Sequence, residues 1–236
     1  MASTIPTEGA EVSIRETGVY HLDDSLVGSR VAEFNDRGLP TKTEYGLDFC
    51  AQNSLDNPDI RAVVESILGR PHWGFLKIYS DRLPLDLAFF FHNPRFYLDE
   101  PTPQIPTLIV QLWSPGSQVI YYEGSHLQNI DPKESTEWGL LALPRVQMRR
   151  DGVTETEVGL AEGGFAIMDS RLGWTVRKGY FVNIGFATEY EICYWAKMDL
   201  PDSEVLRAKV DELKRRRFET NFRFVKEMDG GKSIEQ

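Results

Sequence analysis

The chain has 236 residues, enough to bury a sizeable core without a disulfide or metal staple. With 41% hydrophobic and 26% charged residues and a formal net charge of −10, the composition excludes a disordered chain and a broad basic surface for nucleic acid. The longest apolar runs fall far short of a membrane span, and residues 1–6 carry neither a basic start nor an apolar stretch. A cytoplasmic protein is expected, with no membrane or nucleic acid among its partners. Cys50 and Cys193 belong to no Cys-x-x-Cys pattern. Two buried thiols are therefore expected rather than a zinc site or a bridge.

In chain order, residues 1–10 are polar and expected to be mobile, as are residues 229–236. Residues 12–52 are punctuated by Gly18, Gly28, Gly38, Pro40 and Gly46, which predicts short strands and turns. A helix follows. Asn57 can cap it, Pro58 takes its first position, Ile60, Val63, Val64, Ile67 and Leu68 fall at helical spacing, and Gly69 ends it. A helix of this size reads as a brace on a sheet.

From Trp73 the period changes. The runs 74–80, 85–92, 107–114, 118–123, 140–148, 153–160, 164–169, 174–176, 180–188 and 191–198 are rich in β-branched and aromatic residues, with turn residues between them. Asp151-Gly152, between two alternating runs, predicts a hairpin. About ten short strands without intervening helices predict an all-β sandwich or barrel over 73–198, inside a single domain spanning 1–236. Beyond Leu200-Pro201 a helix is predicted over 202–227, capped by Asp202 or Ser203. Its apolar stripe would comprise Leu206, Val210, Leu213, Phe218, Phe222 and Val225, and would dock on the barrel or on a second chain. The basic run Lys214-Arg215-Arg216-Arg217 reads as a solvated helix face.

Residues for chemistry are few. The histidines are His21, His72, His92 and His126. There is no His-Glu-x-x-His, no Gly-x-Ser-x-Gly, no phosphate loop and no Gly-x-Gly-x-x-Gly, so hydrolase triads and nucleotide-binding folds have no starting point. A non-haem iron site needs two histidines and a carboxylate on one face of the metal. His21-Leu22-Asp23 has suitable letters but precedes the brace helix. His92-Asn93-Pro94 ends a Phe-rich run, with Pro94 where a carboxylate would stand.

Two stretches carry a family resemblance. Leu108-Ile-Val-Gln-Leu-Trp-Ser-Pro-Gly116, followed by Tyr121-Tyr-Glu-Gly-Ser-His126, resembles the strand and Gly-Ser-His turn of phytanoyl-CoA-dioxygenase-like proteins. Glu162-Gly-Gly-Phe-Ala-Ile-Met-Asp-Ser-Arg-Leu172 is similar to the family's Gly-Asp strand that leads to its distal histidine. The fungal natural-product members are nearest in style, and the resemblance covers about residues 73–198. It implies a double-stranded β-helix (a jelly roll, cupin-like), with the brace and C-terminal helices added, and iron(II)/2-oxoglutarate chemistry. Carried over residue by residue, it supplies no complete site. His126 matches a histidine that is not an iron ligand in the family. His92 falls near the first ligand and Pro94 at the acidic one. Gly173-Trp174 stands where the distal histidine belongs, and no histidine follows His126. The cosubstrate arginine should fall in Phe181-Val-Asn-Ile-Gly-Phe186, which has no basic residue. Neither proline nor tryptophan donates to a hard cation, so no metal site is expected in this chain, and Trp174 is expected to fill the metal pocket.

The remaining residues have two readings each. His92 and Asp169 are candidate proton-transfer groups, against a strand-end histidine and a simple pair of Asp169 with Arg171. Trp113, Tyr121, Tyr122, His126 and Trp174 could line an apolar ligand pocket, against ordinary core and turn roles. Three functions follow. The first is an iron-less pseudo-oxygenase that supports an active iron(II)/2-oxoglutarate-dependent oxygenase in polyketide or terpenoid biosynthesis. In it, this chain has no cofactor, iron(II) and 2-oxoglutarate belong to the partner, and the assembly is a hetero-oligomer with a homologous subunit, or a homodimer. The second is a cofactor-independent cyclase or isomerase using His92, Asp169 or Glu123 on an apolar small molecule. The third is an iron oxygenase with unusual ligands, such as His92, His126 and an acidic residue.

Overall fold

The computed structural model describes residues 6–97, 104–135 and 137–226. The chain opens with helices, not the predicted short strands. α1 (Thr7–Glu16) leads into strand β1 (Val19–Asp23), and α2 (Ser25–Asp36) and α3 (Glu44–Gln52) follow. The helical signals are local. Asp24 accepts from the Leu26 and Val27 amides to cap α2, and Thr43 accepts from the Gly46 amide to cap α3. Val27, Val31 and Phe34 then recur at helical spacing and are buried. Gly28 is no turn. It lies inside α2 because a Cβ there would come within 1.9 Å of the Glu162 carbonyl oxygen. The start expected to be mobile is helical from Thr7, with Ala10 buried; residues 1–5 and 229–236 lie outside the described residues.

α4 (Pro58–Leu68) is as predicted: Asn57 accepts from the Asp59 and Ile60 amides, and Gly69 closes it at φ 71°. The strands are β2 (His72–Ser80), β3 (Leu87–Phe90), β4 (Thr107–Trp113), β5 (Ser117–Glu123), β6 (Lys133–Ser135), β7 (Leu140–Pro144), β8 (Thr154–Leu160), β9 (Gly164–Asp169), β10 (Gly173–Lys178) and β11 (Tyr180–Ala187). The run 191–198 is not a strand. It becomes α5 (Glu189–Ile192) and a turn, capped by Thr188 accepting from the Glu191 amide.

Two six-stranded sheets result. One has the order β1-β9-β4-β11-β2 followed by a short strand at Glu219–Thr220 (β13), the other β6-β7-β3-β10-β5-β8, and successive strands from β2 to β5 and from β8 to β11 change sheet. Pairing is antiparallel except where the short β13 (Glu219–Thr220) runs parallel to β2. Asp151-Gly152 makes a turn but no hairpin: β7 pairs with β3 and β6, whereas β8 pairs with β5. Alternation along each strand sorts the core into layers. Val110, Leu112, Phe165, Ile167, Val182 and Ile184 meet the helices on one face of the first sheet. Ile109, Trp113, Met168 and Phe181 meet Phe89, Tyr121 and Trp174 between the sheets.

The predicted 202–227 helix is shorter. α6 (Glu204–Arg215) is capped by Ser203, and the backbone turns at Arg217, φ 67°. Phe222 and Val225 belong to β14 (Phe222–Val225), parallel to β12 (Met198–Pro201). The α6 stripe Leu206, Val210 and Leu213 is buried within this chain, and Lys209 pairs with Asp48 of α3 at 2.5 Å, so the helix presents no apolar docking face. Arg216, from the basic run, pairs with Asp56 and Glu212. Cys50 is buried as expected, but Cys193 is exposed, because the run that carries it is not a strand. No helix among the described residues is long and apolar enough to cross a membrane.

The contact of α2 with the β8–β9 turn is backbone on backbone, so neither side can give way. Gly28→Ala is expected to destabilise the protein by about 1–3 kcal/mol through overpacking, read as a lowered denaturation midpoint. An unchanged midpoint would mean that α2 does not sit on Glu162.

Candidate functional site

The residues singled out by the sequence fall into two places: the space between the sheets, and the end of that space where β9 runs into β10. Between the sheets, Trp174 projects from β10 and is fully buried. Its ring centroid lies 5.2 Å from Phe181, 5.6 Å from Phe89, 5.7 Å from Phe91 and 5.9 Å from Tyr79. Trp113 stacks on Phe181 at 4.2 Å. These distances suit offset and edge-to-face ring packing.

Tyr121 begins a buried polar row that sequence reasoning missed. Its hydroxyl donates to Gln111 Oε1 at 2.8 Å, and Gln111 Nε2 donates to Asn183 Oδ1 at 3.1 Å. Asn183 Nδ2 donates to the Lys77 carbonyl at 3.3 Å. Burial raises the Tyr121 phenol far above its ordinary value, so it serves as a neutral donor. The only sequence signal was two amides inside otherwise apolar strands. Tyr122, one residue on, points to the opposite face of its sheet, where its hydroxyl lies 3.3 Å from Thr175 Oγ1. Trp113, Tyr121 and Trp174 are thus brought together as core, and Tyr122 is not with them.

The second place is polar. Asp169 and Arg171 are both buried, and their side chains form a two-pronged pair at 2.9 and 2.6 Å, while the Arg171 amide also donates to Asp169. His92 sits beside them: its amide donates to the Ser170 carbonyl, and its ring stacks on Trp195 at 5.5 Å. His92 Nε2 lies 3.7 Å from Glu191 Oε1, which also accepts from Trp195 Nε1 at 3.1 Å. Glu191 was missed because its run was read as a strand. A small cleft of ≈ 250 Å³ adjoins His92, lined by Phe91, Asn93, Glu134, Gly139, Leu140 and Leu141.

His126 is buried at the same end, in the short turn after β5, with Nε2 3.2 Å from the Arg15 carbonyl. Gly18 allows this closeness: it has φ 95°, and a Cβ would come within 2.8 Å of His126 Nδ1. Burial lowers the pKa of both His92 and His126, against the charge of Asp169 and, for His92, of Glu191, with Arg171 lowering both further.

The fit to an iron centre can be judged from these positions. The end of β3 and the start of β10 do meet, since Phe91 packs on Trp174. What meets there is aromatic. Pro94 begins a short 3₁₀ turn, Trp174 fills the interior, and Asn183, on the strand where a cosubstrate cation is expected, spends its amide on Gln111 and Lys77. Among the described residues no three His, Cys, Asp or Glu side chains are grouped so as to hold a metal ion. The side chains present do not fit iron or a 2-oxoglutarate carboxylate.

No protein-family model matches the chain, and no curated protein matches it in sequence. Solved structures do. The epimerase SnoN in complex with Fe3+, alpha ketoglutarate and nogalamycin RO aligns with 77% of this chain and 83% of its own at 15% identity, TM-score 0.52. HygX from Streptomyces hygroscopicus with iron bound aligns with 85% of this chain and 94% of its own at 13% identity, TM-score 0.54. The likeness is one of fold. A HygX structure with nickel and 2-oxoglutarate bound gives the same TM-score at 12% identity. The chain therefore shares its sheet arrangement with SnoN and HygX.

Because burial lowers the pKa of His92 and His126, the sign of their contribution follows from linkage. Their pKa values lie below the ordinary 6.5 in the folded state, so the unfolded chain takes up protons first. Stability is full above pH 6.5 and falls as pH drops through the lowered values. Chemical denaturation at pH 8 and pH 5 should show this loss, and His126→Gln should flatten it. An equally steep loss in that variant would contradict the assignment.

Proposed function

We propose that this chain is an iron-less oxygenase-fold protein, a double-stranded β-helix that works as the supporting subunit of an active iron(II)/2-oxoglutarate-dependent oxygenase in natural-product biosynthesis. One observation carries the reading: Trp174, packed on Phe89, Phe91 and Phe181, stands where the resemblance puts the distal ligand. A metal needs an open, polar, anionic pocket, and burying an ion among these rings would leave it without donors. SnoN belongs to nogalamycin biosynthesis, and HygX has been solved with hygromycin B bound, which favours natural-product chemistry for the partner's substrate. In this reading iron(II), 2-oxoglutarate and the substrate all sit in the partner. The chain's own work is to bind and shape that subunit, a role that requires surface rather than chemistry.

A second reading has one observation in its favour. His92, with Nε2 3.7 Å from Glu191 Oε1 and with Asp169 and Arg171 nearby, opens on a cleft and could move a proton without any metal. The third reading, iron on His92, His126 and a carboxylate, gains nothing, since His126 Nε2 faces the Arg15 carbonyl and His92 Nε2 faces Glu191.

Co-expression with an iron-binding homologue from the same gene neighbourhood tests the proposal. The two chains should co-purify, turnover should need both, and His92→Gln should leave the complex active. Turnover by this chain alone in the presence of chelator, abolished by His92→Gln, would replace the first reading with the second.

A further inference from the structure

The first sheet ends in a strand whose outer side is mostly bare. β13 pairs with β2 only at His72 and Trp73, and no other described strand lies beyond it. Over residues 74–80 alternate backbone N–H and C=O groups of β2 therefore face outward, as on any sheet edge. Trp73 Nε1 donates to one of the β2 carbonyls, that of Phe75, at 3.0 Å.

This edge lies along a groove. A cleft of ≈ 550 Å³ runs along Leu76–Tyr79, between Thr41 and Lys42 on one side and Glu137, Trp138 and Gly139 on the other. A second, of ≈ 560 Å³, continues past Ile78 and Tyr79 to Arg82, with Leu39 and Tyr180 on its walls. The two share Ile78, Tyr79 and Trp138, so they adjoin. At roughly 3.3 Å per residue, the span from Leu76 to Arg82 is about 20 Å, the length of an ordinary strand. A small molecule would leave most of such an open trough wet. An extended chain would fill it and satisfy the strand edge at the same time.

Charge selects the occupant. The protein carries a net charge of −10, yet the groove brings together Lys42, Lys77 and Arg82. The carboxylates nearest them are Glu137, Asp81, which accepts from the Gly179 amide at 3.3 Å, and Asp199, which faces Lys42 but is paired with Arg223, so the cations outnumber the unpaired carboxylates by one. Lys77 stands mid-edge, its Nζ 3.4 Å from the Gly139 carbonyl. Antiparallel pairing with a second copy of β2 centred there would oppose lysine to lysine, the arrangement that edge strands use to prevent self-association.

We propose that this groove binds an extended, acidic segment of a partner polypeptide as an added strand beside β2, with a carboxylate facing Lys77. The groove meets the His92 cleft only at Gly139, and the proposal holds whether or not the partner is an oxygenase.

Selection from a display library of random linear peptides against the full chain, followed by hydrogen exchange with the enriched peptides, tests this. Enriched peptides should carry Asp or Glu, contain no proline at the centre, and slow amide exchange in residues 74–80. Lys77→Glu should reverse the charge preference by on the order of fivefold in affinity, the scale of a cross-strand charge pair. Lys42→Glu, on a loop outside the sheet, should weaken acidic peptides without touching the strand. Peptides that protect other segments, a preference unchanged in both variants, an empty selection, or dimers joined through β2 would each overturn the proposal.

Discussion

The packing of Trp174 between the two sheets is the contact on which the rest of the molecule turns. It joins β10 to β3 through Phe89, to the end of β3 through Phe91, and to the facing sheet through Phe181 and Tyr79. A sandwich of this kind coheres only if its inner faces interdigitate, and here large rings from both sheets do so. The same ring takes the space in which a fold of this type could hold an ion. The side chain that fills the core here is one that offers no lone pair to a metal.

Around that core the polar groups divide by role. The row Tyr121–Gln111–Asn183 is self-satisfied and crosses from one sheet to the other, so it fixes their register without offering a free donor. Asp169 and Arg171, two residues apart at the end of β9, close on each other and shape the turn into β10. Removing one partner would leave the other charge buried, which costs far more than the pair contributes. His126 is locked against the first helix through the Arg15 carbonyl. Of these groups only His92 lines a cleft, which is why a metal-free chemistry, if the chain has one, belongs there.

Much of this was legible beforehand, and the failures have causes. The strands from β2 to β11, apart from the short polar β6, announce themselves by β-branched and aromatic runs between turns, and α4 by Asn57, Pro58 and Gly69. The place of Trp174 came from the resemblance; its depth among four rings did not. Gly28 and Gly46 read as punctuation, whereas Gly28 is there because α2 touches backbone at Glu162. Asp151-Gly152 predicted a turn correctly and a pairing wrongly, because local turn chemistry carries no knowledge of which strand lies alongside. The run 191–198 reads as a strand from its aromatic residues, but Ile192 packs inward while Cys193 and Tyr194 are exposed, a helical and turn pattern too short to show a period. Phe222 and Val225 extended a helical stripe on paper, although Arg217 reverses the chain before them. Glu191 and Asn183 acquire meaning only from long-range contacts, which one sequence does not display.

The proposed function rests on aromatic packing occupying the space between the sheets in place of a metal centre. Anaerobic titration of the isolated chain with iron(II), in the presence of 2-oxoglutarate and followed by calorimetry, tests it most directly. The account predicts no saturable site at micromolar iron and no change in the near-ultraviolet signal of the buried tryptophans. One iron per chain at micromolar affinity, with that signal altered, would contradict it.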